Sequence, residues 1–418
     1  MAVLASLIVV AGLVVPGCDK ATDKERVAAL ASRAKRQRDT GDLRGALRTA
    51  QSAVQLVPSS WRSWWLLGTV RYARDEYIQS EAAFTTSINF AEGRAEPHYG
   101  LGGALYGQQR LRQALEECQL ATQLAPGVPE YHHTVGQIRA EMGANTEAAR
   151  AHRKATGLAP SVAKYHASLA STLIDLGAEA EALEEAQQAV YLAPEDPLCH
   201  GTMGVVLYKM DRLPHAVSAF RKAIERGAEA TYRGYLGIAL CEMGKPSEGM
   251  AESEEAVASE PASPAARYAL GYVLAYNHEL ARATEQMRQV VRLDPAKTYG
   301  YFAMADVNAL AGACKDGIKA IALGMELGTA SNDHLPTLAY CHARLRNVQA
   351  ARTCLAQARA TLDGKRVPIS ALYLGGKAHA LLGDTARAAE LFRNAVKRFP
   401  EHPWAPDMRA FAARQGQM

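Results

Sequence analysis

Helix-ending prolines return along this chain at one interval. Pro58, Pro126, Pro160 and Pro194 stand at multiples of 34 residues, and Pro261 and Pro295 continue the series after a one-residue deletion. Pro400 closes it after a short insertion. Three of them end the same tripeptide, Leu-Ala-Pro, at Pro126, Pro160 and Pro194. A residue before proline disfavours the helical region, so each marks a helix exit. A fixed period of this size means a small unit that cannot bury its own apolar stripe and must stack on its neighbours. Length alone suggests about three domains. The period predicts one continuous array in their place.

Composition agrees with helix throughout: 48% apolar, 22% charged, and no alternating strand-like runs. The period divides the chain into about eleven units: 27–60, 61–94, 95–128, 129–162, 163–196, 197–229, 230–263, 264–297, 298–331, 332–365 and 369–402. The eighth residue of nearly every unit is small, as at Gly68, Gly102, Gly136, Gly204, Gly237, Gly271 and Gly376. The twentieth is small in all, as at Ala46, Ser80, Ala114, Ala148, Ala182, Ala216, Ala283, Ala351 and Ala388. Glycines sit between the two halves of a unit at Gly41, Gly143, Gly177, Gly244, Gly312 and Gly383, where a left-handed helix cap suits them.

Period, small positions and terminal proline together resemble the tetratricopeptide repeat. The resemblance implies an all-α fold, a right-handed α-solenoid (superhelix) of about eleven helical hairpins over 27–402. Residues 403–418 are expected as a C-terminal capping helix and 19–26 as a short polar tether. Units 298–331 and 332–365 lack the terminal proline, and glycines crowd the first of them, so this is the expected soft joint. Pro336 should start its helix near His334, with Asn332 and Asp333 able to cap it.

In this family the first helices of the hairpins line a groove. Mapped onto the groove positions, the resemblance points to Trp65, Tyr72, Tyr99, Tyr106, Tyr208, Tyr268, Tyr272, Tyr276, Tyr299, Phe302, Tyr340 and Tyr373. Tyrosine gives contact area and a hydroxyl at low entropic cost. A row of it suits a polypeptide partner; a glycan is the second candidate. The groove's acids are Glu96, Glu130, Glu141, Asp175, Glu242, Asp306 and Asp333, and its bases Arg62, Lys164, Lys209, Arg344 and Lys377. That mixture, with a formal charge of only +4, is not the continuous basic track that nucleic acid requires. The family's carboxylate clamp is also missing, since its positions carry pairs such as Tyr99 and Gly103 or His133 and Gln137.

His98, His132, His166 and His200 also recur every 34 residues, at the fourth position of successive units. Stacked helices lie about 8–10 Å apart, too far for these side chains to share a zinc ion that holds nitrogen at about 2.1 Å. Structural packing is therefore expected of them, and neither metal nor other cofactor. No phosphate-binding loop, metalloprotease helix or nucleophile elbow is present in the sequence. Enzymatic function is not expected. The six cysteines beyond Cys18 show no metal spacing and read as small apolar packing residues in helices; only Cys341 and Cys354 fall on two helices of one hairpin, the best of several poor disulfide candidates.

The first eighteen residues are of another kind. MAVLASLIVVAGLVVPGC is apolar almost without interruption from Ala2 to Val15, and polar sequence begins at Asp19. The run is shorter than the about 20 residues a spanning helix needs, but it matches a signal-peptide core. Its Val-Pro-Gly-Cys ending resembles the lipobox of bacterial lipoproteins, although no Lys or Arg precedes the core and Val15 and Pro16 depart from the usual pattern. The resemblance implies lipidation at Cys18 and a membrane-anchored protein of a bacterial cell envelope, facing the periplasm. The second reading is a cytoplasmic adaptor. The expected function is a non-enzymatic scaffold that binds a polypeptide in its tyrosine-lined groove; a polysaccharide-binding scaffold in export is the alternative.

Overall fold

The computed structural model describes residues 20–227, 230–328, 334–364 and 367–415. The signal segment with Cys18, and Asn332 and Asp333, lie outside the described residues. Among those described there are 23 α-helices and no strand. No helix among them is long and apolar enough to cross a membrane.

The helices fall into two compact units that divide between Pro160 and Ser161. The first unit pairs α1 (Lys20–Asp39) with α2 (Leu43–Leu56), α3 (Trp61–Tyr72) with α4 (Tyr77–Phe90), α5 (Ala95–Gly107) with α6 (Leu111–Leu124), and α7 (Pro129–Glu141) with α8 (Asn145–Leu158). The second begins with α9 (Ala163–Asp175) and α10 (Glu179–Leu192), then α11 (Pro197–Lys209) and α12 (Leu213–Glu225), then α13 (Ala230–Glu242) and α14 (Pro246–Ser259). It continues through α15 (Pro264–Tyr276) with α16 (Leu280–Leu293) and α17 (Thr298–Leu310) with α18 (Cys314–Leu327). Last come α19 (Leu335–Arg344) with α20 (Val348–Leu362), α21 (Ile369–Leu381) with α22 (Thr385–Arg398), and α23 (Ala405–Gln415) packed on α22.

Every hairpin turns the same way. One residue between its helices takes a left-handed backbone: Gly41, Asp75, Gln109, Gly143, Gly177, Asp211, Gly244, His278, Gly312, Arg346 and Gly383, with φ from 59° to 86°. All six glycines expected from sequence are in this ladder. The other five positions hold the same turn with a side chain, at a cost that glycine avoids.

The eighth residue is small because it faces the twenty-fourth of its own hairpin. A methyl added to Gly204 would lie 2.5 Å from the Phe220 ring, and one on Gly376 would lie 2.4 Å from the Phe392 ring. The twentieth residue also meets the eighth: Ser80 Oγ donates to the Gly68 carbonyl at 2.9 Å. At the expected soft joint the glycines serve the same close packing. A Cβ on Gly324 would meet the Phe302 ring at 2.9 Å, and one on Gly317 the Ala305 carbonyl at 3.3 Å.

Three expectations change. Residues 20–26 are not a tether but the first turns of α1, because Lys-Ala-Thr-Asp-Lys-Glu-Arg holds good helix formers and no Gly or Pro. The C-terminal segment is more than a solvating cap, since Trp404, Ala405 and Met408 enter the core of the last hairpins. Cys341 meets the thiol of Cys314, not Cys354; burial and that neighbour push its pKa up. All six described cysteines are reduced and buried.

In the second unit the inner helices α13 and α15 pack directly on one another, as do α19 and α21. This tight curl brings the turn after α22 back to α13 and α15. The His402 ring lies 4.0 Å from Tyr276, and Trp404 lies 6.1 Å from His278. A Cβ on Gly244 would meet Glu401 at 2.8 Å.

Candidate functional site

The fourth-position residues have one shared task. Trp64 Nε1 donates to the Pro58 carbonyl at 2.7 Å, His132 Nε2 to Pro126 at 2.9 Å and His200 Nε2 to Pro194 at 2.7 Å. Arg267 Nε donates to Pro261 at 2.8 Å and Tyr301 Oη to Pro295 at 3.1 Å. Five donors of four chemistries satisfy the same loop carbonyl, six residues upstream, at the entrance of five hairpins. His98 and His166 reach Glu117 and Glu185 at 2.7 and 2.6 Å. His132 and His200 thus cap a loop carbonyl, and His98 Nε2 reaches the equivalent carbonyl of Glu92 at 3.2 Å. Among the described residues no group of three or more His, Cys, Asp or Glu is placed to hold a metal ion.

The groove residues stand on the first helices and mostly join one hairpin to the next. In the first unit, Tyr99 shares a hydrogen bond with Thr134 at 3.1 Å and Tyr106 donates to Glu141 at 2.6 Å. Trp65 is half-buried beside Phe84 and Leu101. Tyr72 stays exposed at 40%, its ring 5.6 Å from Tyr77.

In the second unit Tyr208 and Tyr272 donate to one oxygen, Glu242 Oε1, at 2.9 and 2.8 Å. Burial pushes the Glu242 pKa up, and the two phenols hold it back. Asp175 pairs with Lys209. Asp306 accepts from Thr337 at 2.5 Å. Tyr268 and Tyr299 meet edge to face at 5.7 Å, with Tyr299 exposed at 38%, and Phe302 stacks on His334 at 4.7 Å.

Three of the twelve offer little exposed surface. Tyr276, Tyr340 and Tyr373 are buried, at 3%, 8% and 8% exposure. The returning turn covers Tyr276, and the close packing of α19 on α21 encloses the other two. Tyr373 is stacked on Trp404 at 4.6 Å, and the Lys377 ammonium lies over its ring at 4.5 Å.

Comparison with known proteins meets this geometry directly. A tetratricopeptide-repeat family matches residues 32–92 and 337–403, and a second tetratricopeptide-repeat family matches 163–196. The hairpins over those residues are tetratricopeptide repeats. Neither matching family is a catalytic one. A solved tetratricopeptide repeat protein from Parabacteroides merdae shares the fold, with a TM-score of 0.50 at 12% identity over 60% of this chain and 99% of that one. A solved structure of MamA aligns with a TM-score of 0.35 and 19% identity over 38% of this chain and 93% of that one. No curated protein sequence matches this chain.

The last hairpins leave an aromatic cleft open. Tyr340, Tyr373, Phe392 and Phe411 wall a space of about 450 Å³. Arg344 and Lys377 from the inner helices and Arg414 from α23 stand around it, with Asp407 the one acid. Phe411 closes one side through an edge-to-face contact with Phe392 at 5.2 Å. Sequence reasoning found Tyr340, Tyr373, Arg344 and Lys377 but missed Phe411 and Arg414. The signal was there, in the aromatic and basic residues of a segment read only as a cap.

Proposed function

We propose that this tetratricopeptide array is a non-enzymatic scaffold that binds a polypeptide along the inner face of its first helices. The observation that carries the proposal is the open cleft over α19, α21 and α23. Aromatic walls with a cationic rim are the composition of protein-binding hot spots, where a few rings and arginines dominate the energy. Net cationic character favours a partner segment that is acidic around an apolar anchor.

The test is recovery of polypeptides from cell-envelope extract on the immobilised full chain. Arg344 and Arg414 are exposed, whereas Lys377 lies over the Tyr373 ring, so the double charge reversal Arg344→Glu with Arg414→Glu changes the rim and spares that contact. It should lower recovery about tenfold or more, the loss expected when two rim charges turn repulsive. Recovery equal to wild type counts against the cleft.

We further propose that the chain is anchored through Cys18. The apolar run to Val15 followed by Val-Pro-Gly-Cys supports it. Mass measurement of the mature N-terminal peptide decides: a diacyl or triacyl cysteine supports the anchor, and an intact Met1 removes it.

A further inference from the structure

Charge is unevenly placed along this array. Residues 20–56, which hold the hairpin of α1 and α2, carry nine Lys and Arg against four Asp and Glu. That is a net +5 where the whole chain carries +4, so the other residues together are slightly acidic. The excess lies on the outside. Lys24, Arg33, Lys35 and Arg36 on α1, and Arg44 and Arg48 on α2, are all exposed.

Among the described residues these six cations have no acidic partner. The ion pairs of the hairpin join Arg26 to Asp23 and Arg38 to Asp39. Asp42 accepts from the Gly45 amide at 2.8 Å as a helix cap, and Glu25 is the remaining acid. Exposed bases elsewhere are neutralised, as Arg110 is by Glu81 and Arg282 by Glu254 and Glu279. Ala34, Ala46, Ala50 and Ala53 form the buried side of the hairpin with Leu66 and Leu67 of α3. The arginines stand on its outer side. Arg33 and Arg36 lie one turn apart, as do Arg44 and Arg48, and like charges at that spacing destabilise a helix. An anionic surface would relieve that repulsion.

The sequence says which anionic surface is near. α1 begins at Lys20, two residues after Cys18 and five after the apolar run that ends at Val15. An anchor in that segment sets the first hairpin beside the headgroups. A single acyl chain binds a bilayer only marginally, and a polybasic patch is a common second signal. We propose that the α1–α2 hairpin docks on anionic lipid headgroups through Arg33, Arg36, Arg44 and Arg48, with Lys24 and Lys35 beside them. The inference rests on the anchored reading for the presence of a bilayer at α1. Nucleic acid suits the surface less, because a duplex asks for a continuous basic track and the chain beyond this hairpin is net acidic.

The test is vesicle flotation of the full chain carrying Cys18→Ser, so that no acyl chain contributes. Vesicles of phosphatidylcholine alone are compared with vesicles that also contain phosphatidylglycerol. The anionic vesicles should take up the chain at least about tenfold better, and the gain should vanish at about 1 M salt, where the screening length is about 3 Å. The quadruple variant Arg33→Gln, Arg36→Gln, Arg44→Gln, Arg48→Gln should lose the gain and keep the phosphatidylcholine baseline. Its side chains are exposed and glutamine is a good helix former, so the hairpin stays folded. Changing Lys315, Lys319, Arg393 and Lys397 to Gln removes the same charge from exposed positions on α18 and α22 and should leave the gain intact. The inference is overturned if wild type shows no anionic gain, if the two quadruple variants behave alike, or if a double-stranded oligonucleotide at equal phosphate strips the chain from the vesicles. A variant-sensitive gain without any binding to phosphatidylcholine upholds the patch and counts against the apolar run as an anchor.

Discussion

Tyr208 donates its hydroxyl to Glu242 at 2.9 Å, across the 34 residues that separate one repeat from the next. Tyr272 reaches the same carboxylate oxygen from the following hairpin at 2.8 Å. A partly buried carboxylate thus ties three repeats together, and its pKa is raised chiefly by burial. Removing either hydroxyl, by Tyr208→Phe or Tyr272→Phe, should destabilise the α11–α15 region by about 1.5–3 kcal/mol at neutral pH, the range for bonds to a charged group. The sign with pH follows from the raised pKa. The loss should shrink as pH falls through the folded-state pKa, because protonated Glu242 no longer needs both donors. Hydrogen exchange of α13 amides, followed from neutral pH downward through the acid range, checks both statements.

The contact between position eight and position twenty-four gives a second expectation. Gly204→Ala puts a methyl 2.5 Å from the fully buried Phe220 ring, so the hairpin must open. Overpacking of this kind costs about 1–3 kcal/mol. A urea titration that shows no loss would mean the ring moves aside freely.

The left-handed ladder gives an expectation of opposite sign. Gln109 holds φ 61° and Arg346 φ 62° where neighbouring repeats use glycine. Gln109→Gly and Arg346→Gly should each stabilise by about 0.5–1 kcal/mol, a partial recovery of the left-handed cost against glycine's larger unfolded-state entropy. Thermal melts of the two single variants and the double variant test this, and the gains should add because the sites are far apart in sequence and share no partner.

Two histidines predict acid sensitivity. His152 is pushed down to about 3, first by burial and then by His133, and His402 likewise to about 3 by burial and His278. Each stays neutral when folded but takes a proton near pH 6.5 when unfolded. Their contribution is therefore present above about pH 6.5 and is lost as pH falls toward 3. Between pH 7 and pH 5 each should cost about 2 kcal/mol locally, at 1.36 kcal/mol per pH unit below the unfolded pKa. Exchange in α8 should accelerate accordingly, and His152→Leu should remove that acceleration.

The repeat was legible because its constraints are local. Pro126, Gly143 and Gly204 are each demanded by a helix exit, a left-handed turn or a close approach within one hairpin. The exposure of the tyrosines was not legible, because it depends on how hairpins curl. Tyr276 is buried by His402, and Tyr373 by Trp404, through contacts that close only when α13 packs on α15 and α19 on α21. The period carries no record of that curl. The fourth-position histidines show the same division: their structural role could be argued from helix spacing, but the proline carbonyls that His132 and His200 cap appear only in three dimensions.

Site-specific photo-crosslinking tests the docking face most directly. Benzoylphenylalanine is placed at Tyr72 and Tyr299, which are exposed on inner helices, and at Tyr191, which is 79% exposed on the second helix α10. In envelope extract the account predicts discrete polypeptide adducts from Tyr72 or Tyr299 and none from Tyr191. Adducts from Tyr191 alone, or equally from all three positions, would contradict it.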